Sequence, residues 1–301
     1  MYRIDDNQNV ATLPADPTDN VGTPGFFTGG NPGASPAVPP TRVRYWWLNM
    51  IQETLVHPIL TACGIALAKD DMTQLTQAIG IIPLGRQLAR PLQQTTSGSY
   101  SAAPRGTNWV RFLIVGSGGA GAGCQAVTGT NVQAGAPGSA GSWAEVWVPW
   151  TGTAIPYTVG AAPARVTGGA GNNGGSSGVA GITAPGGIGG QLQTIGAAPS
   201  GAGGILSPMP NGTPTGGAVV TAQGQGGVGG LSLAVSTVTG FGGPGGTSIL
   251  GGGSSWNLPE ATGTDASTFG AGGGGTANVL GNGALSGGVP GQGVVIITPF
   301  S

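Results

Sequence analysis

Only three carboxylates follow Arg111 in this chain, Glu145, Glu260 and Asp265, and Arg165 is the one cation among them. The same stretch contains no His and no Lys, so any acid–base chemistry would fall to the carboxylates alone. Cleaving a glycosidic bond takes two carboxyl groups flanking the scissile linkage. Glu260 and Asp265 are the pair near enough in sequence to qualify, but loop carboxylates serve binding equally well, and no enzyme is expected. The single histidine, His57, and the two cysteines, Cys63 and Cys124, are far apart and lack metal-site spacing. Neither a metal, a cofactor nor a disulfide framework is expected from them.

Gly116, Gly118 and Gly121 satisfy the spacing of a dinucleotide-binding loop directly after an apolar run. That chemistry requires a following helix, whose N-terminus meets the pyrophosphate, and an acid about 20 residues on. Residues 122–141 are rich in Gly, Thr and Asn, with no apolar stripe, and the next acid is Glu145, inside another strand-like run. A nucleotide site is not expected. The remaining candidates are the segments that interrupt the glycine runs: Met209 and Asn211, Phe241, then Trp256, Asn257 and Glu260, and finally Asp265 and Phe269. Aromatic rings beside Asn, Asp or Glu suit sugar or loop recognition, through stacking and directed hydrogen bonds. The same rings, Trp256 and Phe269 above all, could instead be packing residues.

What positions these segments is a long glycine-rich stretch from Gly116 to Gly293, framed by the runs Trp109–Val115 and Val294–Ile297. The chain holds 64 glycines and 24 prolines in 301 residues, about 29% and within the range that normally marks low complexity. Disordered chains, however, are typically rich in charge, whereas charged residues are 6% here and the apolar residues fall in discrete runs. An ordered but unusual domain is expected. Trp109–Val115 has the composition of a strand with Arg111 on the face opposite Val110 and Phe112, and Ser142–Pro149 alternates, placing Trp143, Glu145 and Trp147 on one side. Ile155–Val159 is a further short strand. Between them glycines recur in threes, at Gly168, Gly171 and Gly174, at Gly175, Gly178 and Gly181, at Gly224, Gly227 and Gly230, and at Gly240, Gly243 and Gly246. Period three matches the left-handed extended helix that has no internal hydrogen bonds. Lateral pairing between close-packed glycine rods would satisfy those backbone groups. The expected fold is therefore mainly β and irregular, with short strands, polyglycine-II-like helices and a small helical N-terminal region.

The first 40 residues, with seven prolines from Pro14 to Pro40, form an extended arm whose apolar anchor is Phe26 with Phe27. Residues 41–92 are a short helical region: Leu48, Ile51 and Leu55 continue a stripe that follows Trp46 and Trp47, with a second helix starting near Asp71 and ending at Gly80. Two such helices bury little alone, and the stripe suits a three-fold bundle between copies. Residues 93–107 are a Ser-, Thr- and Gln-rich linker, and 108–301 the distal glycine-rich domain. A formal net charge of −1 gives no general attraction to nucleic acid. No apolar run reaches the length of a membrane span, and the start carries no signal-like apolar segment, so cytoplasmic synthesis without membrane insertion is expected.

The order Tyr2–Asp5, then Gly25–Pro32 (GFFTGGNP), then Trp47–Glu53 (WLNMIQE), with Gln74-Leu75 beyond, resembles the N-terminal region of bacteriophage tail fibre proteins. Pro58 and Thr54 depart from that pattern. The distal half is similar to the glycine-rich C-terminal domains of phage fibres and adhesins, through Leu113–Gly119, Ala144-Glu145, Tyr157–Ala161 and Val289–Ile297. The resemblance implies a virion protein assembled in the host cytoplasm as a homotrimer. Its N-terminal residues, among them Phe26, Phe27, Trp46, Trp47, Leu48, Ile51 and Leu55, would attach to the tail or baseplate and trimerise. The distal domain would bind a bacterial surface glycan or outer-membrane protein through loops between glycine rods, at Met209, Asn211, Phe241, Trp256, Asn257, Glu260, Asp265 and Phe269.

Overall fold

A computed structural model describes residues 87–279 and 283–301, together with 64–66, 73–81 and the single residues 33, 35 and 51. The chain divides into two compact units, Met1–Gly85 and Arg86–Ser301. In the first, the described helix is α1 (Gln74–Ile81). It runs one residue past Gly80, where the sequence suggests its end, and the amide and side-chain amide of Gln77 both bond Thr73, at 3.0 and 2.8 Å. Ile51 is half-buried. Phe26, Phe27, Trp46, Trp47, Leu48, Leu55, His57 and Cys63 lie outside the described residues.

β-Strands dominate the regular structure of the second unit, and no closed barrel forms among the described residues. Strands are numbered along the chain. One five-stranded antiparallel sheet has the order β1 (Leu92–Gln94), β16 (Val294–Phe300), β3 (Trp109–Val115), β5 (Trp143–Pro149) and β12 (Val219–Gly224). A second has the order β11 (Asn211–Gly212), β8 (Ile182–Ala184), β7 (Ser177–Val179), β6 (Ile155–Thr158) and β2 (Gly98–Tyr100). Their facing side chains form the main core, with Val110, Phe112, Ile114, Val146 and Ile297 on one side and Tyr100, Ile155, Tyr157, Val179 and Ile182 on the other. The period-two pattern of β3 and β5 is the direct cause: every second residue is fully or almost fully buried. Residues 93–107, expected as a linker, instead contribute much of β1 and all of β2. Their polar composition fits edge strands, and each pairs with an apolar partner strand. The triplet Gly175, Gly178 and Gly181 is likewise not a rod. Gly178 lies within β7, and Ala180 (φ 46°) with Gly181 (φ 80°) forms the two-residue turn to β8, the left-handed pair that a tight hairpin requires.

The outward face of the first sheet carries Trp109, Arg111 and Leu113 on β3, level with Pro149, Trp147 and Glu145 on β5 and with Phe300, Thr298 and Ile296 on β16. Arg111 pairs with Glu145 at 2.5 Å, and the Glu145 carboxylate also accepts from Trp147 Nε1 at 3.0 Å and Thr221 Oγ1 at 2.8 Å. Partial burial alone would push the Glu145 carboxyl up. The bonds from Trp147, Thr221 and Arg111, with the Arg111 charge, outweigh it and hold the pKa below the ordinary carboxylate range.

Beyond the sandwich the glycine segments run side by side. From Gly116 to Gly123, successive amides donate in strict rotation to three neighbours. Gly116, Gly119 and Ala122 bond Ser142, Ser139 and Ala136; Ser117, Ala120 and Gly123 bond Gly175, Asn172 and Gly169; Gly118 and Gly121 bond Gly291 and Gly288. Two further segments donate back, from Gly187 and Gly190 and from Gly273, to Ser117, Ala120 and Gly119. The 136–142 segment repeats the scheme with its own neighbours: Ala136, Ser139 and Ser142 bond Gln191, Ile188 and Pro185, and Gly138 and Gly141 bond Gly273 and Gly270. Glycine is needed for closeness here. A Cβ at Gly118, Gly119, Gly121, Gly138 or Gly190 would lie within 3.0 Å of a neighbouring backbone carbonyl. Two three-stranded sheets complete the unit, β10 (Ser200–Gly203), β13 (Leu231–Ala234) and β14 (Gly240–Phe241) in one, β15 (Thr276–Asn278), β4 (Asn131–Gly135) and β9 (Gly196–Ala197) in the other. Val132, Ala234, Ala277 and Val279 form a small core that joins them.

Candidate recognition site

The β10–β13–β14 sheet places its apolar side chains outward. Along β13, Ser232 and Ala234 are buried while Leu231 and Leu233 point away from the core, Leu231 exposed and Leu233 partly buried. Leu233 is level with Phe241 on β14 and with Gly201 on β10, whose missing side chain leaves room for the Leu233 side chain. Trp256 then packs edge-on against Phe241, ring centroids 5.0 Å apart at 70°, in the T-shaped arrangement that aromatic quadrupoles favour. Reciprocal backbone bonds between Gly242 and Asn257, 3.1 and 3.2 Å, fix that approach. Gly242 permits it, because any Cβ there would overlap the Asn257 side chain. Trp256 remains 55% exposed and Leu258 77%. No charged residue occurs between Arg165 and Glu260, so the strip Leu231–Leu233–Phe241–Trp256 carries no charge of its own.

The other sequence candidates fall elsewhere. Asn257 adjoins the strip, but its side-chain amide donates to Ala261 and Thr262 carbonyls at 3.1 and 3.0 Å, closing its own loop. Its Oδ1 is buried without a partner. Glu260 is exposed and holds a left-handed conformation, φ 66°, while its amide donates to Ala277. Asp265 is a structural clamp rather than an isolated acid. It pairs with Arg165 at 2.5 Å and accepts from the Val289 amide at 2.8 Å, and Arg165 also reaches the Gly263 and Gly287 carbonyls. Phe269 is half-buried. Met209 and Asn211 are exposed, but Asn211 belongs to β11 at the edge of the sandwich, level with Thr183. The structure thus gathers Phe241, Trp256 and Asn257 and leaves Met209, Asn211 and Asp265 outside that group. Leu231, Leu233 and Leu258 were missed as candidates; the alternation of residues 231–235 (LSLAV) is the signal that marks the first two.

The loop at Gly116–Gly121 cannot cradle phosphate, since each of its amides is already bonded to a backbone carbonyl. Cys124 is buried among Thr276 and the backbone of Gln133, and burial pushes its thiol pKa up despite those hydrogen bonds. Among the described residues, no three His, Cys, Asp or Glu side chains gather as a metal-holding group, and no helix is long and apolar enough to cross a membrane.

A search among curated proteins finds no match to the sequence. A family pattern described as a glycine-rich domain matches residues 95–299, which include every strand of the unit but the first and the last residue of β16. The chain belongs to that glycine-rich domain family.

Proposed function

We propose that this chain is a tail fibre of a bacteriophage or phage-tail-like particle, attached to the tail or baseplate by its N-terminal region as a homotrimer. Its glycine-rich domain binds a receptor on the bacterial surface, a glycan or an outer-membrane protein. The glycine segments are read as polyglycine-II-type helices. Rotation of the amide donors through three neighbours every three residues supports that reading. Such a lattice holds its segments by backbone alone and releases side chains for recognition where it is interrupted.

The observation that carries the receptor reading is the Phe241–Trp256 pair, held by the Gly242–Asn257 backbone bonds, with Phe241 partly buried and Trp256 exposed. Rigid, exposed aromatics dominate binding energy at interfaces. The test is competition for adsorption. The purified full chain should coat susceptible cells and block infection, and Trp256→Ala should weaken that block by about ten-fold or more, with unchanged thermal stability. A folded wild-type chain that coats no susceptible strain removes the receptor reading and leaves a purely structural virion role.

A further inference from the structure

The outward face of the first sheet carries side chains that a solvated sheet does not ordinarily present. An antiparallel sheet with one face in water alternates apolar inward and polar outward. Here β3, β5 and β16 point Trp109, Leu113, Trp147, Ile296 and Phe300 away from the core. Trp147 and Phe300 pack with centroids 4.8 Å apart, and Val219, level with Trp147 on the edge strand β12, is 50% exposed. A face apolar on both sides of its sheet is the mark of a sheet that is covered twice.

Two features bear on what could cover it. Arg111 and Glu145 neutralise each other in place, so the face offers no net charge to a charged partner. The Glu145 carboxylate is also already filled by Arg111, Trp147 and Thr221, which leaves few open polar groups of the kind a sugar needs between aromatic rings. The second feature is where the chain enters. Gln87 bridges Phe300, so the polypeptide enters this domain beside a side chain of this face. If the N-terminal region gathers copies, it tethers these faces to one another. Tethering of that kind gives effective concentrations of about a millimolar, at which an apolar face of modest area associates.

We propose that this face is an interface with a second copy of the same chain, an inference that rests on the multimeric fibre reading above. Trp109, Trp147 and Phe300 form its apolar centre, the Arg111–Glu145 pair its internally neutral polar element, and Val219 its margin. The test uses the purified full chain, so that no other protein can cover the face. It compares the multimer with monomers separated by dilution, since cover by the chain's own residues 1–86 would persist in the monomer. Light scattering gives the number of copies. Maleimide labelling, quantified peptide by peptide, compares a thiol introduced by Val219→Cys with one introduced by Val238→Cys, a residue 64% exposed in the β13–β14 hairpin. The expected result is a multimer in which the thiol at 219 reacts about ten-fold slower than that at 238, with the protection lost on adding Trp109→Lys. Radical footprinting of the wild-type protein, which needs no substitution, should show Trp109 protected and Trp256 not. A multimer with equal labelling at 219 and 238, or with Trp109 as oxidised as Trp256, overturns the interface and leaves the fibre reading intact. A monomer overturns both.

Discussion

A methyl group at Gly121 would meet the carbonyl of Gly274, whereas one at Gly203 would meet nothing within 4 Å. Both residues are glycines in a glycine-rich chain, and they should respond oppositely to the same change. Gly121→Ala forces backbone apart in a fully bonded region and is expected to cost about 3 kcal/mol. Gly203→Ala removes unfolded-state freedom without a clash and should shift stability by less than about 1 kcal/mol, in the favourable direction. Denaturant midpoints of the two variants decide it, and equal effects would mean that close backbone approach does not hold the domain. Glu145 gives a second residue-scale prediction. Its folded pKa lies below its unfolded value, so its contribution is present above the ordinary carboxylate range and lost as pH falls through the lowered folded value. Between neutral pH and about 3, the wild-type melting temperature should therefore fall more steeply than that of Glu145→Gln. Parallel curves would remove the Arg111–Glu145 pair as a source of acid lability. Glu145 is equally an acid in the sequence, but its partner is set by the cross-strand register of β3 with β5, which spacing alone does not reveal.

The glycine segments differ from strands in where their hydrogen bonds go. A strand bonds two neighbours in a plane, while Gly116–Gly123 bonds three by donation and two more by acceptance. Every amide of that segment is therefore occupied and buried, so its exchange with solvent should be as slow as that of β3. A flexible glycine linker would exchange orders of magnitude faster. Hydrogen exchange followed peptide by peptide separates the two, and fast exchange across 116–123 would sink the lateral bonding. How far this was legible differs by element. β3, β5 and β6 were visible because a half-buried strand writes its period of two into its side chains. The glycine segments write theirs into the donors instead. In Gly116–Gly123 the glycines fall at 116, 118, 119, 121 and 123, with Ser117, Ala120 and Ala122 between them, so period three is absent from the residue types and present in the bonds. At Gly175, Gly178 and Gly181 the reverse holds, with the spacing on a strand and a hairpin turn. Of the site, single rings were legible and their grouping was not. Phe241 and Trp256 meet through the Gly242–Asn257 bridge, a contact between loops rather than a pattern along one of them.

At the scale of the molecule, the chain closes on itself. β16 is the last strand, yet it lies between β1 and β3, pairing Leu92–Gln94 on one side and all of Trp109–Val115 on the other. Nearly the whole glycine-rich stretch must be placed before its end can complete the sheet that began it. Such long-range pairing slows folding, because loop closure is paid before the contacts that reward it. The glycine segments depend on that closure in turn. Gly118 and Gly121 bond Gly291 and Gly288 just ahead of β16, and the Ser177 hydroxyl ties β7 to the Val115 carbonyl at the end of β3. Sandwich and glycine segments should therefore unfold in one transition. Residues 87–301 hold every described strand of the compact unit Arg86–Ser301, and this fragment should fold alone. Residues 87–293 lack the strand that joins β1 to β3 and expose Val110, Phe112 and Ile114 along an unpaired edge. That fragment should aggregate or remain unfolded. Calorimetry and near-ultraviolet circular dichroism on the two fragments provide the measurement. A single cooperative melt for 87–301 and none for 87–293 is the expected pair of results. A native-like melt for the shorter fragment would mean that the glycine segments stand without the sheet, and that the domain is two folding units rather than one.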